Sequence, residues 1–494
     1  MCNKTVIIVG AGIGGIATSI ALANKGFRVS IYEKRSIPGG RCGHFTRDGH
    51  RFDIGATLVL MPSIYRDVFQ YLGLNFDQDL TLKSLEDIYT IYFDKERKLS
   101  FTRDEKRMKE QLEAFEPNSY SSYKSYIKTG YEYYRIAISK LLGRNYYSLW
   151  EFLNLANLLR MIRMKTYIRH SNYVKRFFRD PDLQRAFSFQ NIYVGQSPYQ
   201  APAFFSMLPA VELTEGTVFP TEGIYGIVRK LKDTALKCGV KFYFHKTVEE
   251  ILIEDKAVKG IKLVDGTVKE ADLVVINADL PNAYRNLLPD KRKLRRLDKK
   301  RYSCSAFVFH WGIDKAFNKL GHHSIFLSAE YKFNLNKIFK DKMLAPDPSF
   351  YVHAPTRSDV SAAPQGMDTL SVIVPVGHIS KKHHQPWDEL KADARKSVLK
   401  RLEEFGMENI ESHIKFEVCY TPVTWENSYR VEKGGVFGSL AHSIFQMGYF
   451  RPSNRHRMYN NLYFVGGSTH PGNGVPLVLL SAKLTSERIL RENL

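Results

Sequence analysis

Four glycines crowd one short segment, Gly10-Ala11-Gly12-Ile13-Gly14-Gly15, and a carboxylate, Glu33, follows about 20 residues later. Gly10 suits a tight turn. Gly12 lets backbone approach a pyrophosphate, and Gly15 lets a helix pack closely on a strand. A pyrophosphate sits well at the positive end of a helix, and a carboxylate at the distance of Glu33 accepts hydrogen bonds from a ribose hydroxyl. The chemistry these residues suit is dinucleotide binding.

The elements that must position them are legible on either side. Residues 5–9, Thr-Val-Ile-Ile-Val, are rich in β-branched side chains and read as a buried parallel strand. A small-residue helix runs from the glycines to Asn24-Lys25-Gly26, where Gly26 is a natural stop. Residues 28–32 form a second strand that ends at Glu33. This opening is apolar enough to pass for a signal peptide, but its glycines already have a purpose, and that reading is rejected.

NAD and FAD both use such a unit, and the next segment tips the choice. Gly39, Gly40 and Arg41 bring backbone and a guanidinium to a second face of a dinucleotide. Phe52-Asp53-Ile54-Gly55, followed by Ala56 and Thr57, offers another glycine-permitted approach. At the far end, residues 461–476 read as a strand, then a glycine-rich turn through Gly466, Gly467, Gly472 and Gly474, then a helix from Pro476 or Leu477.

These segments resemble the flavoproteins with two dinucleotide-binding domains, a group that includes amine oxidases and carotenoid desaturases. The string FVGGSTHPGNGVP resembles the C-terminal signature of the bacterial-type phytoene desaturase family. Leu60-Met61-Pro62, Tyr193-Val194-Gly195, Glu222-Gly223-Ile224-Tyr225-Gly226 and Tyr302 to Phe307 extend the likeness over essentially the whole chain, and overall similarity points to the branch that desaturates 4,4′-diapophytoene. The resemblance implies FAD bound in extended form, with Val248 meeting the adenine and Gly466, Gly474, Val475 and Pro476 closing over the flavin. It implies an α/β fold with a discontinuous Rossmann-like FAD-binding domain, a second sheet-containing substrate domain and a helical lobe that docks on membranes. The expected division assigns 1–95, 213–285 and 456–494 to FAD binding, 96–212 to the helical lobe and 286–455 to the substrate domain.

Within the middle block, three short runs at 240–244, 248–253 and 257–264 precede the hairpin signal Asp265-Gly266, so a β-meander is expected there. Phe307, Phe309 and Trp311 alternate along one strand and share a face, which reads as core before it reads as tunnel wall.

Composition bounds the rest. The 494 residues exceed one ordinary core, and 44% apolar content fits folded lobes. The net charge of +21 favours polyanions. No nucleic-acid module is recognisable, which leaves an anionic membrane surface. Between residues 131 and 180, ten Lys or Arg face three Asp or Glu. Around Leu149–Lys165 these basic side chains are interleaved with bulky apolar ones, the profile of an interfacial segment. No apolar run reaches the roughly 18–20 residues of a spanning helix. Five scattered cysteines, Cys2 among them, suggest neither disulfides nor a zinc cage, and reduced thiols fit the cytoplasm. No residue set calls for a metal.

The implied reaction is desaturation of a C30 or C40 polyene precursor delivered from the bilayer. Hydride passes to the flavin, the allylic cation is stabilised by conjugation, and a neighbouring proton is lost. Oxygen or a membrane quinone then takes the electrons. Such chemistry needs alignment and dryness more than a strong base. His470, Glu222 and Tyr225 stay open as candidates, and no general base is named. The alternatives are a carotenoid oxygenase or isomerase of the same family, and a prenyl-lipid-binding protein on the same fold.

Overall fold

The computed structural model describes residues 3–494; Cys2 lies outside them. Three distant parts of the chain build one parallel sheet of five strands. Its order is Leu462–Phe464, Leu273–Ile276, Thr5–Val9, Arg28–Tyr32 and Lys241–Tyr243. The central strands are almost uniformly apolar because both faces are covered. Helices Ile13–Ala23, Ile224–Lys237 and Val475–Asn493 pack on one face. The N-terminal, middle and C-terminal segments therefore share one domain.

A separate antiparallel sheet, Val248–Glu254, Ala257–Leu263 and Val268–Glu270, turns through Gly266 at φ +82°. The expected meander is thus real but shifted. Residues 241–243 are not its first strand; they form the edge of the parallel sheet, beside Arg28–Tyr32. A three-residue strand carries too little pattern to distinguish the two pairings.

The second lobe is a seven-stranded sheet ordered Ile414–Tyr420, Ser305–Ile313, Asp368–Val376, Phe350–His353, His323–Phe326, Asp87–Tyr92 and Lys98–Thr102. The last two strands straddle the expected boundary at 95/96, yet both belong to this sheet. Helix Trp387–Glu404 covers one face. Phe307, Phe309 and Trp311 are fully buried in the core on that side, as ordinary core residues. Val308 and Ile373 are on the opposite face, toward a large cavity.

Helices fill most of residues 105–215. Ser119–Ile136 lies against Met207–Glu215. Their close approach depends on Gly130, where a Cβ would fall 2.6 Å from the Ser206 carbonyl oxygen. This lobe and the seven-stranded sheet enclose the cavity between them. Among the described residues, no helix is long and apolar enough to cross a membrane.

Candidate functional site

The cavity measures about 710 Å³ and begins at the C-terminal edge of the parallel sheet, where open α/β sheets bind ligands. Gly10, Gly12 and Gly14 form its floor. Gly10 adopts φ +100°, which favours glycine. Gly12 is the N-cap of helix Ile13–Ala23, and no side chain caps this helix end, which leaves it open to a ligand's acceptor. A Cβ on Gly14 would lie 2.9 Å from Val478 Cγ1, so this glycine admits the C-terminal helix. Gly15 does not line the cavity. Its Cβ would fall 2.6 Å from the Gly10 carbonyl oxygen, so it packs helix against turn.

Glu33 is buried on the cavity wall. Its Oε2 accepts from Ala11 N at 2.7 Å and its Oε1 from Arg35 N at 2.9 Å. The carboxylate is therefore fixed by backbone while keeping free lone pairs. Gly40, Arg41, Gly55, Ala56 and Thr57 line the next stretch. Arg41 Nη1 donates to the Val436 carbonyl at 2.9 Å, which ties the loop to the opposite wall. A Cβ on Gly55 would sit 2.7 Å from the Arg41 carbonyl oxygen, so glycine is needed for that packing.

Val248 lines the cavity from the middle block. Gly466, Gly474, Val475 and Pro476 line it from the C-terminal end. The last helix begins at Val475, just before the expected start at Pro476 or Leu477, with Gly474 as N-cap at φ +91°. Proline in its first turn lacks an N–H, which costs the helix no bond because first-turn N–H groups have no intrahelical acceptor.

These residues fit a dinucleotide. At Gly40 and Gly474 the nearest atoms to a built Cβ are 3.7 and 3.9 Å away, so a side chain there would project into open cavity. Asn473 Oδ1 is buried on the wall with no hydrogen-bond partner among the described residues, and such an atom calls for a donor.

Beyond this glycine-lined end the wall changes character. Phe204, Phe205, Leu208, Ile325, Leu335 and Ile338 give it a greasy lining from both lobes. Tyr89 stands on this wall, and the buried Glu212 bonds its hydroxyl from behind. Burial raises the Glu212 carboxyl to about 8.

The three open candidates for proton transfer are elsewhere. Glu222 pairs with Arg229 outside the cavity. Tyr225 packs on His44, ring centroids 3.9 Å apart. His470 is buried, bonds the Arg144 carbonyl oxygen through Nε2 at 3.0 Å, and is held neutral by burial at about 4. Two wall residues escaped sequence reasoning. Asn277 Nδ2 donates to the Gly10 carbonyl at 3.1 Å, clamping the first turn. His442 faces the cavity with both ring nitrogens unpartnered among the described residues. Asn277 could have been found, as it ends a strand of the same sheet; His442 carries no local signal.

Fold and site together define a dinucleotide-dependent oxidoreductase with an apolar substrate chamber. The chain belongs to the flavin containing amine oxidoreductase family, whose profile matches residues 13–490, and its cofactor is FAD. It is 38% identical to the zeta-carotene-forming phytoene desaturase of Myxococcus xanthus, over 99% of this chain and 94% of that one. It is 32% identical to a 4,4′-diapophytoene desaturase (4,4′-diaponeurosporene-forming) of Staphylococcus aureus, covering 99% of each. An oxidoreductase from Methanosarcina mazei shares the fold, with TM-score 0.66 at 15% identity over 98% of this chain and all of that one.

Proposed function

We propose that this protein is an FAD-dependent carotenoid desaturase that introduces conjugated double bonds into a C30 or C40 precursor. The observation that carries this reading is the continuity of one cavity, glycine-lined at one end and apolar at the other. Bound FAD supplies an acceptor for a hydride equivalent. The chain's own residues do the rest. Gly10, Gly12, Gly40 and Gly474 give backbone access, and Glu33 holds a ribose. Val248 meets the adenine, and Gly466, Val475 and Pro476 border the flavin. The apolar wall aligns a polyene and excludes water. Relatives named for C40 and for C30 substrates both match along their length, so chain length is a property for experiment.

The same reading brings the substrate from a membrane. Trp150 and Leu155 are 77% and 71% exposed, and Leu158, Leu159, Ile162 and Tyr167 join them beside Arg160, Arg163 and Lys165. Phe445 and Phe450 extend this patch, with Phe450 and Phe152 rings 5.6 Å apart. Met447, between them in sequence, lines the cavity. An apolar patch of this size rimmed by cations suits an anionic bilayer surface, on the cytoplasmic side, with oxygen or a membrane quinone taking the electrons.

The test is expression in cells supplied with colourless C30 or C40 precursor. Stepwise red-shifted pigment without added oxygen mass supports desaturation. Products carrying a carbonyl or hydroxyl would make the protein an oxygenase, and a product of unchanged mass would make it an isomerase. Colourless protein that takes up no FAD would favour a prenyl-lipid carrier.

A further inference from the structure

Away from the glycines, three histidines converge in the second lobe. His323 and His353 are cross-strand partners on neighbouring strands, and His322 immediately precedes the first of them. They are 8%, 2% and 1% exposed for His322, His323 and His353. Nε2 of His322 and Nε2 of His353 are 3.2 Å apart, and one ring nitrogen from each of the three lies within 4.8 Å of the others. His323 directs Nδ1 to the Tyr351 hydroxyl at 2.7 Å, and that hydroxyl meets Thr57 Oγ1 at 2.8 Å on the cavity wall. His322 Nδ1 is buried without a partner among the described residues.

We propose that His322, His323 and His353 bind a divalent transition-metal ion of the zinc class, joined to the cofactor cavity through Tyr351 and Thr57.

The geometry supports this in two ways. Two nitrogens about 2.0–2.1 Å from a tetrahedral zinc ion lie roughly 3.3 Å apart, close to the observed 3.2 Å. Ligating histidines usually donate their second ring N–H to an outer acceptor that fixes the tautomer, and Tyr351 stands in that place for His323. The cations near His322 are Arg357 and Lys83. Arg357 is neutralised by Asp368 at 2.7 Å. Asp53 and Arg51 line a small void with His353, and Arg51 is paired with Asp359.

The test uses tag-free holoprotein, cleared with a chelator and then titrated with Zn²⁺ and Co²⁺. Metal content is read by plasma mass spectrometry, and Co²⁺ ligand-field bands are read on the red side of the flavin absorption. About one equivalent per chain is expected for the wild type and for His384→Ala, an exposed control. Affinity should fall at least tenfold in His322→Ala and His353→Gln, and about tenfold in Tyr351→Phe. A wild type that takes up no metal overturns the proposal even if the variants fail to fold. Equal affinity in folded, flavin-replete His322→Ala and His353→Gln overturns it as well. No substrate is added, so the outcome is independent of the desaturase reading.

Discussion

Asp53 caps a helix that starts 171 residues later: its Oδ2 accepts from Ile224 N at 3.0 Å. Its Oδ1 accepts from Tyr225 N at 3.1 Å. Gly223, the N-cap, has φ +78°, and a Cβ on it would collide with the Asp53 carboxylate. Two motifs that look like separate approaches to a cofactor thus serve each other. One carboxyl pins helix Ile224–Lys237 to the segment that leads into Gly55, Ala56 and Thr57.

That carboxyl is fully buried, and burial outweighs the two backbone donors, raising it from 3.8 to about 7. Between those values the folded chain holds a proton that the unfolded chain has released. Stability from this group is therefore full below pH 3.8 and is lost as pH rises toward about 7. Asp53→Asn keeps one acceptor and cannot ionise. It should lower stability by about 1 kcal/mol near pH 5 and flatten the decline from pH 5 to 7. Melting curves of holoprotein across that range, followed by tryptophan fluorescence, check both. An unchanged slope in the variant would remove Asp53 as its source.

Gly12→Val should abolish FAD retention. A Cβ there lies 2.8 Å from Asn277 Nδ2, the group that clamps the first turn, and the branched side chain would also enter the cavity floor. Flavin absorbance per protein after gel filtration is the readout. A folded variant that stays yellow refutes the pyrophosphate assignment.

Glu212 and Tyr89 give a contrasting pair. With its carboxyl raised to about 8, Glu212 is protonated at pH 7 and resembles glutamine in charge. Glu212→Gln should leave the melting temperature at pH 7 nearly unchanged. Glu212→Ala leaves the Tyr89 hydroxyl with Gln190 alone and opens space behind the wall. It should cost about 2–3 kcal/mol. Urea unfolding at pH 7 separates the two, and equal losses would show that Glu212 is charged in the folded protein.

The legible part of this molecule is the part written in backbone terms. Gly10, Gly12, Gly15 and Glu33 announce themselves because a tight turn, a close approach and a ribose acceptor each need one residue type at a fixed spacing. The C-terminal turn is legible for the same reason. Pairing across long sequence gaps is not. Residues 241–243 gave no sign of choosing Arg28–Tyr32 over a hairpin partner, and Asp87–Tyr92 none of crossing to His323–Phe326. The histidine trio depends on that second sheet: His322 and His323 meet His353 only because antiparallel register sets His323 opposite it. Asp53 and Gly223 were each visible, but their contact was not.

Membrane docking makes the last prediction. Helix Leu155–Arg163 exposes Leu155, Leu158, Leu159 and Ile162 and carries Arg160 and Arg163 in its last turn. If this helix docks, its apolar side chains should enter the acyl boundary, while the arginines and Lys165 should meet lipid phosphates for about 1 kcal/mol each. Flotation with vesicles should show stronger binding to anionic than to neutral lipid, and the difference should shrink as salt is raised. Trp150→Ala combined with Leu155→Glu should weaken binding to both vesicle types while leaving flavin content intact, since neither residue lines the cavity. Equal binding to anionic and neutral vesicles removes the electrostatic half of the argument. Undiminished binding by the double variant moves the docking face away from this helix.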